Sequence, residues 1–70
     1  MTSSVRAHVN GQPVELDAGV TIARLLVTYE LADAACAVEV NEELVPRRRH
    51  ESTVVADGDR IEIVSLVGGG

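Results

Sequence analysis

The sequence predicts an α+β domain of ββαβββ order, in which one helix packs across one face of a mixed sheet. Three observations carry that expectation. Short valine-rich stretches alternate apolar with polar residues, the period of half-buried strands. Between them, Ile22, Leu25, Leu26 and Tyr29 recur at i, i+3, i+4 and i+7, the period of an amphipathic helix. Finally, 70 residues, 46% of them hydrophobic, suffice for one small core and no second one. Residues 1–67 are therefore read as a single domain and residues 68–70 as a flexible Gly-Gly-Gly tail.

The first strand directs Val5, Ala7 and Val9 to one face and Arg6 and His8 to the other. Asn10-Gly11 follows. These residues accept the positive φ that both central positions of a type I′ turn demand, so the chain reverses into a strand over 12–16. Val14 and Leu16 share one face of it, and Pro13, lacking an N–H, suits an edge or a strand start. Asp17-Ala18-Gly19 breaks the strand. Thr21 is placed to cap a helix over 22–31, although Arg24 stands where a capping box would carry Glu. A third strand over 36–41 turns Cys36, Val38 and Val40 one way and Ala37, Glu39 and Asn41 the other. A tight turn at Asn41-Glu42-Glu43 leads to a short strand, Leu44-Val45, which Pro46 stops. Residues 47–52 carry no period and read as a loop. Asp57-Gly58-Asp59 turns into the last strand, 60–67, with Ile61 and Ile63 inward. Leu25, Leu26, Val38, Val40, Ile61 and Ile63 should share one core.

Composition narrows the function. The chain holds 6 basic and 11 acidic residues, a net charge of −5, and all the basic residues are Arg. An acidic domain repels phosphate backbones, and with Tyr29 as its lone aromatic residue it has no faces for stacking bases. Nucleic acid is therefore excluded as a partner, and a protein partner is expected. The single cysteine, Cys36, forms no internal disulfide and suits a reducing compartment. The Met-Thr-Ser-Ser start leads into no long apolar stretch, so neither a signal peptide nor a membrane span is expected. A soluble, cytoplasmic protein is the expectation.

Few residues have the pattern of catalytic groups. Without lysine there is no P-loop, and no G-x-G-x-x-G opens a helix, so ATP is not bound by those routes. Cys36 lies on the apolar face of a strand and reads as inert packing, since a reactive thiolate needs a cation or a helix N-terminus beside it. His8 and His50 lack metal-ligand spacing, so no metal site is expected. Arg47-Arg48-Arg49 could form a phosphate-binding patch. The plainer reading is a solvated loop paired with Glu42, Glu43 or Glu51, because flanking acids offset the charge. Ala37, Val64 and Leu66 point away from the helix, and apolar residues on an open sheet face mark a docking surface. The three glycines, Gly68, Gly69 and Gly70, leave the last strand with nothing to pack. Lacking Cβ, they extend through a channel too narrow for side chains and leave a terminal carboxylate open to attack.

Several pieces fall in a characteristic order. They are Asn10-Gly11 after the first strand, Gly19-x-Thr21-Ile22 into a helix with Leu25-Leu26, Val38-x-Val40-Asn41 and Val45-Pro46-Arg47. Asp57-Gly58-Asp59-x-Ile61-Glu62-Ile63 then runs into Val67-Gly68-Gly69-Gly70. In order and spacing, over nearly the whole chain, they resemble the ThiS-type sulfur carriers of thiamine biosynthesis, within the ubiquitin-like β-grasp family. The resemblance implies that an E1-like adenylyltransferase uses MgATP to adenylate Gly70. Sulfur drawn from cysteine by a desulfurase then displaces AMP and leaves a thiocarboxylate, from which thiazole synthase takes sulfur to build the thiazole. Gly68 and Gly69 would give both partners access to Gly70. The chain would be a covalent co-substrate with no bound cofactor, and not an enzyme. The small subunit of molybdopterin synthase and a sulfur carrier for cysteine synthesis are similar alternatives. Those relatives often carry an aromatic residue or a proline before the glycines, and Ser65-Leu66-Val67 has neither. A ubiquitin-like modifier or interaction domain is the alternative from another class. The Lys-free composition and Arg48-Arg49 are not hallmarks of the family, and no role is assigned to Arg47, Arg48 or Arg49.

Overall fold

Asn10 and Gly11 hold φ of 51° and 82°, the paired positive values of a tight hairpin turn, in a computed structural model that describes residues 3–66. The turn joins β1 (Ser4–Val9) to β2 (Gln12–Asp17) in antiparallel register, Ala7 facing Val14 and His8 facing Pro13. Then come α1 (Ile22–Thr28), β3 (Cys36–Val40), β4 (Glu43–Val45), a 3-10 turn over Arg47–Arg49, and β5 (Arg60–Ser65). The sheet order is β2-β1-β5-β3-β4. The last strand is thus central, parallel to β1 and antiparallel to β3, and the sheet is mixed as expected. Pro13 lies on the edge strand β2, where its missing N–H costs no ladder bond.

The core lies between the sheet and α1. Ala7 and Val9 of β1, Val38 of β3, and Ile61 and Ile63 of β5 meet Ile22, Leu25 and Leu26 of the helix, and Val55 joins them from the connection before β5. Val40 and Cys36 are only partly buried at its margin. Each fully buried aliphatic side chain here contributes about 1.5–3 kcal/mol of transfer free energy.

The helix is shorter than its periodicity predicts and ends at Thr28 instead of Leu31. Glu30 takes φ of 61°, its N–H donates to Val27 O at 3.0 Å, and the Leu31 N–H donates to Leu26 O at 2.7 Å. This is a Schellman closure, with Leu31 packed back against the core. A glycine normally marks that position, and Glu30 gives no such signal. Tyr29 consequently leaves the apolar stripe and is 38% exposed.

The segment expected as an aperiodic loop, 47–52, holds the helix N-terminus. Thr21 Oγ1 accepts from the Arg24 N–H at 3.1 Å, as its capping role predicts. The Ile22 and Ala23 N–H groups donate instead to Thr53 O and His50 O, both at 2.9 Å. The connection after β4 therefore satisfies the donors that a helix start leaves open. Smaller shifts occur at strand ends: β3 stops at Val40, β4 begins at Glu43, and β5 is described to Ser65.

Candidate functional site

With one sheet face under α1, the alternation of each strand decides what the other face presents. Outward on β5 are Arg60, Glu62 and Val64, and Val64 sits directly opposite Ala37 of β3. The next residue of that row, Leu66, is tied to the residue just before β3 by its N–H, which donates to Ala35 O at 2.8 Å. Val64 and Leu66 are more than half exposed, at 52% and 55%, and Ala37 is partly covered. The three residues expected to form a docking surface therefore lie together, at the end of β5 that leads into the tail.

A fourth belongs with them. Leu44 is 64% exposed and pairs with Glu39, which places it on the same face and diagonal to Ala37. Its place was legible in principle. A two-residue turn at Asn41-Glu42 forces Leu44 opposite Glu39, and hence outward. The rest of this face is mostly polar or charged. Arg6, His8 and Arg60 lie toward its far end, with His8 opposite Arg60 and Arg6 opposite Glu15. The face thus divides into an apolar patch at the C-terminal end of β5 and a mostly polar or charged field away from it.

Central strand β5 is held from both sides by asparagines. Asn10 Oδ1 accepts from the Ile63 N–H at 2.8 Å, continuing the ladder where β1 turns away. Asn41 Oδ1 accepts from the Arg60 N–H at 2.9 Å, while its Nδ2 donates to Asp59 Oδ1 at 2.9 Å. Neither asparagine was expected to act beyond its own turn. Such a contact becomes visible only when the hairpins flank β5.

The remaining sequence candidates separate. Gly68, Gly69 and Gly70 lie outside the described residues. Cys36 is partly buried on the helix side of the sheet, beside the core. His50 is buried, and its Nε2–H donates to Val45 O at 3.0 Å, so it acts as a structural link under the 3-10 turn. His8 faces solvent. Arg47, Arg48 and Arg49 form no ion pair with Glu42, Glu43 or Glu51 among the described residues, contrary to expectation. Arg47 Nη2 donates instead to Ala32 O at 3.3 Å. No group of three or more His, Cys, Asp or Glu able to hold a metal occurs among the described residues. No helix among them is long and apolar enough to cross a membrane.

Comparison with known proteins places this geometry. The sequence pattern of the ThiS family matches residues 7–70. The sulfur carrier protein ThiS of Bacillus subtilis is 41% identical over 65 residues, which cover 90% of this chain and 97% of that one. A thiazole synthase of Magnetococcus marinus is 36% identical over 66 residues, 94% of this chain, yet the chain spans only 20% of that protein. A crystal structure of a thiamine biosynthesis protein (ThiS) from Geobacter metallireducens superposes with a TM-score of 0.79 at 33% identity, covering 94% of this chain and all of that one. The shared fold is the ubiquitin-like β-grasp.

Proposed function

This chain belongs to the ThiS family of sulfur carriers of thiamine biosynthesis, and on that premise we propose that Gly70 is the sulfur-bearing end of the carrier, adenylated and then converted to a thiocarboxylate. The observation that carries the reading is the family match, which runs through the last glycine and covers nearly the full length of the bacterial carrier. The chemistry follows from what a glycine carboxylate lacks. It is anionic and resonance-stabilised, and therefore a poor electrophile. One carboxylate oxygen attacks the α-phosphorus of MgATP held by an E1-like adenylyltransferase, and pyrophosphate leaves. A sulfur nucleophile, supplied from cysteine through a desulfurase, then attacks the acyl carbon. The C–O bond to AMP breaks. A sulfide nucleophile leaves the thiocarboxylate directly, whereas a persulfide leaves an acyl disulfide, whose S–S bond a thiol reductant then cleaves to release the thiocarboxylate. Thiazole synthase takes that sulfur. This chain contributes reach and recognition to these steps and is consumed and regenerated as a co-substrate, in a cytoplasmic setting. The thiazole synthase relative, of which the matched region is a fifth, supports pairing with that enzyme.

The patch of Ala37, Val64 and Leu66 beside the tail is the docking surface in this reading, with Gly68 and Gly69 as the side-chain-free approach. A substituent at Gly69 would narrow its backbone freedom and clash in a tight channel. One added residue would displace the carboxylate by roughly 3.5 Å, ample to lose a near-attack geometry. The test incubates the chain with MgATP, the adenylyltransferase and a sulfide source. Wild type should gain the oxygen-to-sulfur mass difference at Gly70, while Gly69→Val and a one-residue extension should not react. Leu66→Glu should weaken binding to the adenylyltransferase with the fold intact. Label at Cys36, or an extended chain thiolated at the wild-type rate, would remove Gly70 from this role.

A further inference from the structure

On the helix side of the sheet, α1 and the 3-10 turn Arg47–Arg49 frame a groove of about 450 Å3. One wall is aliphatic, made by Ala23, Leu26 and Val27, and Val27 is 49% exposed although it lies beside the core-facing stripe. The other wall is cationic. Arg47 donates to Ala32 O, which also lines the groove, and its other side-chain N–H donors bond to no described residue. Arg48 makes no hydrogen bond or ion pair to any described residue. His50 spends Nε2 on Val45 O. Since no buried side-chain nitrogen or oxygen among the described residues lacks a partner, its Nδ1 reaches solvent. Glu51 is the one anion in the lining.

We propose that this groove binds an acidic peptide segment of a partner protein, carboxylates flanking an aliphatic side chain, through Arg47 and Arg48 on one wall and Val27 on the other. The charge argument is local. The chain carries −5 overall, yet at about 0.1 M salt a charge is screened beyond about 10 Å, so a ligand in the groove meets two guanidinium groups against the single carboxylate of Glu51, a local excess of positive charge. Exposed ion pairs by themselves hold little. The aliphatic wall supplies the area that makes the site selective for a carboxylate on an apolar-bearing segment over a free anion. No Phe, Tyr or Trp lines the groove, and the one aromatic ring in the lining, the imidazole of His50, is itself buried, which leaves a nucleobase little face to stack on. Because the groove and the patch of Ala37, Val64 and Leu66 lie on different sides of the molecule, both can be occupied at once, and the site stands whether or not Gly70 carries sulfur.

The experiment titrates the full isotope-labelled chain with the peptide Glu-Leu-Asp-Leu-Glu, blocked at both ends, and follows backbone amides by NMR. Saturable shifts are expected at Ala23–Val27 and Arg47–Glu51, weakening as salt rises, and absent with Lys-Leu-Lys-Leu-Lys. Arg47→Glu with Arg48→Glu should weaken binding by more than about tenfold, since like charges then face each other. Arg48→Glu alone, which keeps the Arg47–Ala32 bond, should weaken it in part and guards against a misfolded double variant. Val27→Ser should weaken it without changing the salt dependence. Shifts confined to the Ala37–Val64 face, equal shifts with the lysine peptide, or tighter binding of a single-stranded oligonucleotide at the same amides would overturn the proposal. So would a groove filled by a second copy of the chain through its Glu42-Glu43-Leu44 turn, seen as concentration-dependent sedimentation with the same shifts.

Discussion

The two hairpins that flank β5 solve one backbone problem with different residues. Asn10-Gly11 joins β1 to β2 with φ of 51° and 82°, and Asn41-Glu42 joins β3 to β4 with φ of 53° and 71°. In the first turn, glycine takes the second positive φ without steric cost. In the second, a glutamate does so against the clash of its Cβ, at about 1–2 kcal/mol. Both begin with an asparagine whose side chain reaches β5, yet the two amides are used differently. Asn10 lends only its oxygen, to the Ile63 N–H. Asn41 uses both ends, accepting from the Arg60 N–H and donating to Asp59. A turn can thus be chosen for what its first residue does to a neighbouring strand. The strained second position of the β3–β4 turn is tolerated because register and the Asn41 contacts hold it.

The largest expected effect breaks the β3–β4 side outright. Val38→Asp would bury an unpaired carboxylate at a fully buried site facing Ile63, at a cost of several kcal/mol. A 70-residue domain has little more than that in reserve, so the thermal transition should disappear from circular dichroism. Asn10→Ala comes next, leaving the part-buried Ile63 N–H unpaired at about 1–3 kcal/mol, read as a lowered urea midpoint with an unchanged slope.

Aspartate substitutions then separate the two amides. Asn10→Asp retains an acceptor and should melt within a few degrees of wild type. Asn41→Asp loses the donor and sets a carboxylate beside Asp59, so it should lose about 1–2 kcal/mol, partly recovered in high salt. Equal losses at the two positions would mean that the amides play the same part. The smallest effect has the opposite sign. Glu42→Gly should stabilise by about 0.5–1 kcal/mol, the relief of positive φ less the added entropy of the unfolded chain, and raise Tm by a few degrees. The same change at a position with negative φ would destabilise.

Features that depend on near neighbours along the chain were legible before any fold was known. Alternation assigned inward and outward faces to Val5–Val9, Cys36–Val40 and Arg60–Val64, and Asn10-Gly11 announced its own turn. The stripe Ile22, Leu25 and Leu26 identified the buried face of the helix, and Thr21 its cap. The family, too, was readable from the order and spacing of such pieces. Where those pieces stop and what they touch follow from the packed fold. Glu30 ends the helix by taking a positive φ, and Leu31 then packs against the core, a closure that no local propensity at Glu30 encodes. Residues 47–53 look aperiodic because their task is to supply carbonyl oxygens, those of His50 and Thr53, to the N–H groups of Ala23 and Ile22, which lie 27 and 31 residues earlier in the chain. Leu44 joins Ala37, Val64 and Leu66 only through strand pairing, and Arg47, Arg48 and Val27 share a groove only because the 3-10 turn lies against α1. The physical reason is the same in each case. Periodicity and turn chemistry act over a few residues, whereas a surface or a satisfied donor is assembled from strands and carbonyls far apart in sequence, whose meeting is decided by the burial of the whole core.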